Sequence, residues 1–177
     1  MRVFLVGFMG SGKTSSLVDA LGRIRDREGV PLRRHGQRIA CITFTNRAVE
    51  VIKARLGFDD LYLVSTLHGF LWGQISRFHE DIREALRESR IPALIEKATK
   101  DDNGGTSKKA QKARAKIKQL TEERAALASV DFFKYNDTNF SDYGKGQIGH
   151  DDIIAIATYL FANNATFRRI TGLRFPY

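Results

Sequence analysis

The sequence Gly7-Phe8-Met9-Gly10-Ser11-Gly12-Lys13-Thr14 decides the fold class of this chain. It matches the pattern G-x-x-x-x-G-K-[ST] in full, with an apolar run at residues 3–6 before it and helically spaced apolar residues after it. Small residues in such a loop let backbone N–H groups point at phosphate oxygens, and the following helix N-terminus adds positive potential. We therefore expect a buried strand, a phosphate-binding loop and a helix, in that order.

This loop is expected to bind ATP together with Mg²⁺. Lys13 would reach the β and γ phosphates and take part in catalysis, and the Thr14 hydroxyl would hold the Mg²⁺ ion. The expected ATP- and Mg²⁺-binding residues are Gly7, Gly10, Ser11, Gly12, Lys13, Thr14 and Ser15.

Strands and helices are predicted to alternate after the loop. Apolar runs at residues 39–44 and 61–64 predict two further buried strands, and helices are expected at residues 46–56 and from about residue 66. Residues 25–38, which contain Gly29, Pro31 and Gly36, are predicted to interrupt the first helix. Alternation at this spacing predicts an α/β fold with a parallel sheet.

The pattern changes after about residue 80, which predicts three parts: a first core portion at 1–80, a helical, basic inserted subdomain with a loop at 81–148, and a return to the core at 149–177. Within residues 108–118, six of eleven residues are basic and none is acidic. Polar and aromatic residues at 129–149 predict a loop, and Asp151-Asp152 then open an apolar helix, where acids suit the positive helix end. A short helix is expected at 167–173.

Composition narrows the class of partner and the compartment. The 177 residues include 29 Lys plus Arg against 20 Asp plus Glu, a net charge of +9, which favours an anionic partner, nucleic acid first. The single cysteine, Cys41, excludes a disulfide scaffold or a Cys-rich zinc module and suits the cytoplasm. No apolar run approaches the ~20 residues of a membrane span.

Polar residues follow the second and third predicted strands, where open α/β sheets bind ligands. These candidate nucleic-acid-binding residues are Thr45, Asn46, Arg47, Thr66, His68 and Phe70. Hydroxyl, amide and guanidinium groups suit phosphate contacts, and an aromatic ring suits a single strand. Taken singly, three of them have structural alternatives: Asn46 as a helix cap, His68 as a partly buried histidine and Phe70 as a core residue.

In this order and spacing, the segments resemble motifs of the UvrD/Rep-like superfamily 1 DNA helicases. Residues 10–14 resemble motif I (Walker A), residues 42–50 with Ile52 and Arg55 resemble motif Ia, and residues 64–70 resemble motif Ib. Residues 151–154 resemble the acidic-apolar helix that precedes motif II in that family.

The resemblance implies a RecA-like P-loop NTPase sheet with a helical insertion. It also implies an ATP-driven motor that moves along single-stranded DNA and unwinds duplex DNA, in processes such as DNA repair. Lys13 and Thr14 would bind MgATP, Thr45, Asn46 and Arg47 would grip the DNA backbone, and the residues after the third strand would line the same track.

Two departures from the family limit what the resemblance implies. Met1 lies only six residues before Gly7, so the glutamine motif that contacts adenine has no counterpart and adenine selectivity is unsupported. Asp59-Asp60 and Asp151-Asp152 do not end apolar strands, so neither pair has the context of a Walker B acid. We therefore expect an incomplete RecA-like sheet, the N-terminal portion of a longer helicase, without ATPase activity of its own.

Two alternative functions remain open at this point. The loop also resembles that of shikimate kinase, although the acid expected after the second strand of such kinases is replaced by Thr-Phe-Thr-Asn. A non-enzymatic basic module could bind nucleic acid through residues 108–118 and the arginines at 23–38, although a lysine run is more often a solvated helix face.

Overall fold

The computed structural model of this chain describes residues 13–102 and 104–177, with side chains from Ser15 onward. The predicted strand at 3–6 and the loop residues Gly7, Gly10, Ser11 and Gly12 lie outside the described residues. The chain divides into two compact units, the first formed by residues 1–70 and 165–177 and the second by residues 71–164. The second unit contains all of the predicted insertion at 81–148, and adds residues 71–80 and 149–164 to it.

Among its described residues, the first unit contains two parallel strands. Its elements, with α3 running on into the second unit, are α1 Lys13–Arg34, β1 Ile39–Thr43, α2 Asn46–Arg55, β2 Tyr62–Thr66, α3 Leu67–Ile75 and α8 Ala165–Arg174. β1 pairs with β2 from Ile39↔Tyr62 to Thr43↔Thr66. This confirms the predicted alternation of strands and helices and the parallel pairing of the strands.

The edge of β1 that faces away from β2 also carries backbone hydrogen bonds. Ile39 N donates to Leu61 O on the β2 side, and backbone groups alternate in direction along a strand. Accordingly, Arg38 N donates to Arg174 O at 2.9 Å and Ala40 N donates to Tyr177 O at 2.8 Å. The segment after α8 therefore runs along this second edge of β1.

The core of the first unit lies between the strands and the helices α1 and α2. Its buried residues are Leu21, Leu32, Ile39, Cys41, Ile52, Leu56, Leu61, Tyr62 and Val64. The Tyr62 hydroxyl is also buried and donates to Leu21 O at 3.0 Å. Burial raises the pKa of the Cys41 thiol, so the only cysteine is an inert core residue.

The predicted interruption at residues 25–38 is wrong for residues 25–34, because α1 continues through Gly29 and Pro31 to Arg34. A proline inside a helix costs about 3 kcal/mol. Here Leu32 lies on the same helical face as Leu21 and is buried in the core, which offsets that cost. The helix ends before Gly36, whose positive φ of 64° a glycine adopts without strain.

The second unit is mostly helical. It contains α4 His79–Ala85, a π-helical turn Leu86–Arg90, α5 Ile91–Asp101, α6 Lys108–Ala126, a 3-10 turn Leu127–Ser129, β3 Lys134–Tyr135, a second 3-10 turn Tyr143–Lys145, β4 Gln147–Ile148 and α7 His150–Asn163. The predicted loop at 129–149 thus includes a short parallel pair, β3 with β4. Strands of two residues are too short to give a hydrophobic pattern, so this pair was not predicted. No helix in the described ranges has both the length and the apolar character needed to cross a membrane.

A buried carboxylate organises the second unit. Asp152 is 1% exposed and accepts hydrogen bonds from Arg90 Nε at 2.6 Å and Tyr143 OH at 2.9 Å. It also accepts from Ser141 Oγ and from Gly149 N, the latter at 3.2 Å. The prediction that this acid lies at the start of a helix is therefore confirmed. In addition, the carboxylate links α7 to the π-helical turn and to the loop before α7.

Arg90 balances the negative charge of Asp152, and Tyr143 donates a hydrogen bond to it. Burial of Arg90 opposes its charged form, yet the hydrogen bond and the charge of Asp152 outweigh this effect and raise the pKa of the guanidinium. Burial and the adjacent carboxylate both raise the pKa of the Tyr143 hydroxyl, which remains a hydrogen-bond donor.

Replacing Asp152 is expected to lower the free energy of unfolding of the second unit. Asp152→Asn leaves the partly buried Arg90 without its counter-charge, so we expect a loss of about 3 kcal/mol of unfolding free energy in urea titrations followed by circular dichroism. The control is Asp151→Asn, an exposed acid in the same helical turn, with an expected change below about 0.5 kcal/mol. Equal losses in the two variants would contradict the role given to the buried pair.

The turn between α2 and β2 is tied to the end of α1 by ion pairs. Arg33 donates to both Asp59 and Asp60, and Asp59 also accepts from Leu61 N at 2.9 Å. Partial burial acts to raise the pKa of Asp59, but the Leu61 N–H and the Arg33 guanidinium outweigh it, so the pKa lies below its ordinary value.

Asp59→Asn is therefore expected to show a pH-dependent loss of stability. A depressed folded-state pKa adds stability above the unfolded pKa of about 3.9, and this stability is lost as the pH falls through the lower folded value. We expect the variant to be about 1 kcal/mol less stable than the parent at pH 7, with the two converging once the pH falls below the folded-state pKa of Asp59. Asp60→Asn, whose carboxylate is 87% exposed, is the control with the smaller effect; a pH-independent difference for Asp59→Asn would refute the assignment.

Candidate nucleotide and nucleic-acid site

The candidate site lies at the carboxyl edge of the parallel strands. Thr43 and Thr66 end β1 and β2 as register partners, and α2 and α3 begin within a few residues of them. In the described chain, the first turns of α1, α2 and α3 carry no acidic residue. The N-termini of α2 and α3 therefore present their positive ends at one edge, where they favour an anionic ligand.

Thr45 starts α2, and it does so as a helix cap. Its backbone is extended, with φ −128° and ψ 147°, and its hydroxyl accepts a hydrogen bond from Ala48 N at 3.2 Å. The alternative that placed Asn46 as the cap is wrong, because Asn46 is the first helical residue. Thr45, Asn46 and Arg47 are all exposed, so their side chains are accessible to a ligand.

Thr66 ends β2 and caps α3 in the same manner. Its Oγ1 accepts a hydrogen bond from Gly69 N at 3.1 Å. A Cβ atom added at Gly69 would lie 2.8 Å from Ser65 Oγ and 3.1 Å from Thr66 Oγ1, closer than side chains normally approach. The requirement for glycine at this position comes from the fold of the strand end and was not predicted.

The two ring residues of this segment occupy different environments. His68 is half-buried, whereas Phe70 is only 8% exposed and packs edge-on against Phe175, with ring centroids 5.3 Å apart. The environment of Phe70 therefore agrees with the alternative that it is a core residue. Its place in a DNA track stays a prediction and would be indirect, through support of α3.

The nucleotide side of the site is described from Lys13 onward. The described part of α1 begins at Lys13, which places Lys13 and Thr14 in its first helical turn, and the predicted strand and loop before it lie outside the described residues. Ser15 is exposed and accepts a hydrogen bond from Arg55 Nη1, at the end of α2, at 3.2 Å. This contact was not predicted, because no sequence pattern relates residues 40 positions apart.

The described residues contain no cluster of three or more His, Cys, Asp or Glu that could hold a metal ion. A site formed by one hydroxyl and nucleotide phosphates would not have such a cluster. The assignment of Thr14 to Mg²⁺ therefore stays a prediction.

Two of the arginines at 23–38 bind the α2–β2 turn. Arg33 pairs with Asp59 and Asp60, and Arg38 donates to Asp60 O at 2.8 Å and to Tyr62 O at 3.0 Å. These two guanidinium groups hold the α2–β2 turn in place, so this part of the basic charge belongs to the fold.

The lysine run lies on α6, whose Ala110, Ala113 and Leu120 are buried. Lys109 pairs with Asp101 at 2.7 Å and Arg114 with Asp102 at 2.8 Å, both acids at the end of α5. The other cations of the run are exposed. The run is thus a solvated helix face that also ties α6 to α5.

Residues 2–147 of the chain match the AAA domain family. The chain belongs to this family. Membership implies a P-loop domain that binds a nucleotide, ATP, which agrees with the mixed α/β structure and its small parallel sheets. The finer prediction of a RecA-like sheet stays a prediction.

This AAA domain also resembles a curated protein over half its length. A stretch of 94 residues is 39% identical to the Gabija protein GajB of Bacillus cereus (strain HuB5-5) and covers 51% of this chain. The same stretch covers 14% of GajB, so the chain matches only a small part of that protein. No solved structure is significantly similar to the chain.

Gly69→Ala is expected to disturb the end of β2. The added methyl group would overlap Ser65 Oγ, and we expect a net loss of about 1 kcal/mol in unfolding free energy, measured by urea denaturation. Gly73→Ala is the matched control in the same helix, because nothing lies within 4 Å of its added Cβ. The control should gain about 0.5–1 kcal/mol from helix propensity, and an equal gain at position 69 would show that the close approach is not real.

Proposed function

We propose that this AAA domain is the N-terminal, ATP-binding portion of a superfamily 1 DNA helicase. Such a motor would couple ATP hydrolysis to movement along single-stranded DNA and to unwinding of duplex DNA. The observation that carries the proposal is the carboxyl edge of the sheet, where the register-paired ends of β1 and β2 each lead into a helix capped by a threonine hydroxyl.

The start of α1 fits an anionic nucleotide. Lys13 and Thr14 lie in its first turn, and no acidic residue of that turn would repel phosphates. In the proposal, Lys13 contacts the β and γ phosphates, Thr14 contributes its hydroxyl to Mg²⁺, and the loop residues Gly7, Gly10, Ser11 and Gly12 supply backbone N–H groups. Mg²⁺ bound there would neutralise phosphate charge that develops during hydrolysis.

The proposed DNA track crosses the ends of the two strands. The exposed residues Thr45, Asn46 and Arg47 offer a hydroxyl, an amide and a guanidinium group to phosphate oxygens. Neighbouring strands lie about 4.8 Å apart, so a backbone that passes Thr45 would next meet Thr66 and the half-buried His68. A capping hydroxyl that accepts a hydrogen bond keeps its own proton to donate to a ligand.

A hydrogen bond joins the first turn of α1 to the far end of α2, the helix that begins with the proposed DNA contacts. Arg55 at the end of α2 donates to Ser15 in α1, whereas the start of α2 carries the proposed DNA contacts. A helix moves largely as a rigid body, so a shift of α2 on DNA binding would reach the first turns of α1. This contact supports coupling between nucleotide and DNA.

Three of the four acids considered for hydrolysis have other partners. Asp59 and Asp60 bind Arg33, at the opposite end of β2 from Thr66, and Asp152 is buried against Arg90 in the second unit. We therefore infer that the 177-residue chain binds ATP without measurable turnover. DNA-stimulated turnover that disappears in Lys13→Ala would overturn this inference.

Binding of MgATP and of a labelled single-stranded oligonucleotide, each measured with and without the other, tests the proposal. We expect Lys13→Ala to abolish ATP binding and Arg47→Ala to weaken DNA binding about fivefold, with a shallower salt dependence. Arg27→Ala, on the exposed second half of α1, is the control and should bind DNA as the parent does.

The outcomes separate the proposed motor from the two alternatives. ATP that changes the DNA affinity, and DNA that changes the ATP affinity by the same factor, supports the motor. Salt-sensitive DNA binding that ignores ATP would instead favour the basic module, and phosphoryl transfer to shikimate would favour the kinase.

A further inference from the structure

Three side chains of the second unit bring their polar atoms together near the start of α7. The Tyr135 hydroxyl lies 2.8 Å from Asp137 Oδ1 and 2.6 Å from His150 Nδ1. The remaining distance, between His150 Nδ1 and Asp137 Oδ1, is 3.4 Å. A phenol, a carboxylate and an imidazole thus form a triangle of oxygen and nitrogen donors. Neither the proposed nucleotide site nor the proposed DNA track uses these groups.

The triangle has more acceptors than its hydroxyl proton can serve. The Tyr135 hydroxyl has one proton, which it donates either to the carboxylate or to the imidazole but not to both. If Nδ1 of a neutral imidazole carries its lone pair, two acceptors therefore face each other without a hydrogen between them. A second positive charge inside the triangle, either a proton on Nδ1 or a metal ion, removes this repulsion.

The distances in the triangle are those of ligands that share one face of an octahedral metal site. Metal bonds of about 2.1 Å to oxygen and nitrogen place neighbouring ligands about 3.0 Å apart in an octahedron and about 3.4 Å apart in a tetrahedron. The observed 2.6, 2.8 and 3.4 Å lie around the octahedral value, and the two shorter distances are too small for a tetrahedron.

The backbone around the triangle holds its members in place. β3 and β4 pair at Tyr135 and Ile148, and His150 N donates to Thr138 O at 2.7 Å. The Tyr135 ring lies between the rings of Trp72 and His150, with centroids 6.0 and 6.1 Å away. Donors that are already fixed by such contacts lose little freedom when they bind an ion.

We propose that Tyr135, Asp137 and His150 bind an iron(III) ion. An octahedral face that combines imidazole with carboxylate and leaves the other positions open is typical of non-haem iron, and a phenolate, as a hard anionic oxygen, favours the ferric form. The ion would displace the Tyr135 proton into solvent. Water would fill the other three positions, since the side chains of Asp137 and His150 are 74% and 36% exposed.

The iron ion would reverse the electrostatics that keep the phenol protonated. Burial and the Asp137 carboxylate raise the pKa of the Tyr135 hydroxyl to about 12. A trivalent cation beside the same oxygen acts in the opposite direction and favours the phenolate. The site lies in the second unit and does not depend on the proposed helicase function.

Iron uptake by the untagged 177-residue chain tests the proposal. Iron(II) sulfate is added to an excess of chain under argon, air is then admitted, and iron that the chain does not hold is removed by centrifugation as the hydroxide. We expect the iron to stay in solution and a visible absorption band to appear. A bond between phenolate and iron(III) produces such a band, whereas carboxylate and imidazole ligands alone do not.

Variants of each ligand identify the site. Tyr135→Phe keeps the ring and its packing and removes only the oxygen, so the visible band should be lost. Asp137→Asn and His150→Gln should each lower the retained iron at least tenfold. The matched control is Tyr159→Phe, because this hydroxyl also donates to a carboxylate, Glu84 Oε1 at 3.2 Å, and its loss should leave the band unchanged. Circular dichroism confirms that each variant is folded.

Three results would overturn the proposal. The first is a parent chain at about 100 μM that retains no iron and develops no band, since a site of three fixed ligands should bind more tightly than that. The second is a band that persists in Tyr135→Phe, which would assign the iron to another tyrosine. The third is unchanged retention in both Asp137→Asn and His150→Gln, which would leave a proton on Nδ1 as the charge that completes the triangle.

Discussion

The parallel pairing of β1 and β2 is the constraint on which the first unit depends. Parallel neighbours need a crossover, which α2 provides, and they place both carboxyl ends at one edge. Because Thr43 and Thr66 are register partners, the two capped helix starts come together. A shift of one residue would turn the buried side chains of one strand to the wrong face, so core packing also sets the geometry of the candidate site.

Four of the arginines have a structural task. Arg33 and Arg38 hold the α2–β2 turn, Arg90 neutralises the buried Asp152, and Arg114 pairs with Asp102 across the α5–α6 connection. Guanidinium groups suit these positions because they donate several hydrogen bonds in fixed directions. The net charge of +9 already subtracts the paired acids but does not say which cations remain accessible, so position on the fold identifies the available cations better than composition does.

Contacts between residues far apart in the chain set the limits of prediction. Periodicity predicted β1, α2, β2 and the start of α7 because each buries one regular face. It missed the second half of α1, where the burial of Leu32 outweighs Pro31, and it missed the short β3–β4 pair, where two residues carry no period. In the candidate site, the residues after each strand were predicted by position. The cap at Thr45, the contact of Arg55 with Ser15 and the choice between a core and a ligand-binding role for Phe70 required the tertiary structure.

The sequence by itself determined the class of this protein. The loop of residues 7–14, its order relative to two apolar strands and the polar residues after them specify an α/β P-loop domain, because these features are local and each follows from backbone and side-chain chemistry at short range. Only the tertiary structure decided which charged residues are available to a ligand and that a side chain at Gly69 would be crowded. It also decided that Asp152 is buried and that Phe58 is exposed on a strained turn. These properties depend on residues far apart in the chain, whose proximity no local pattern encodes.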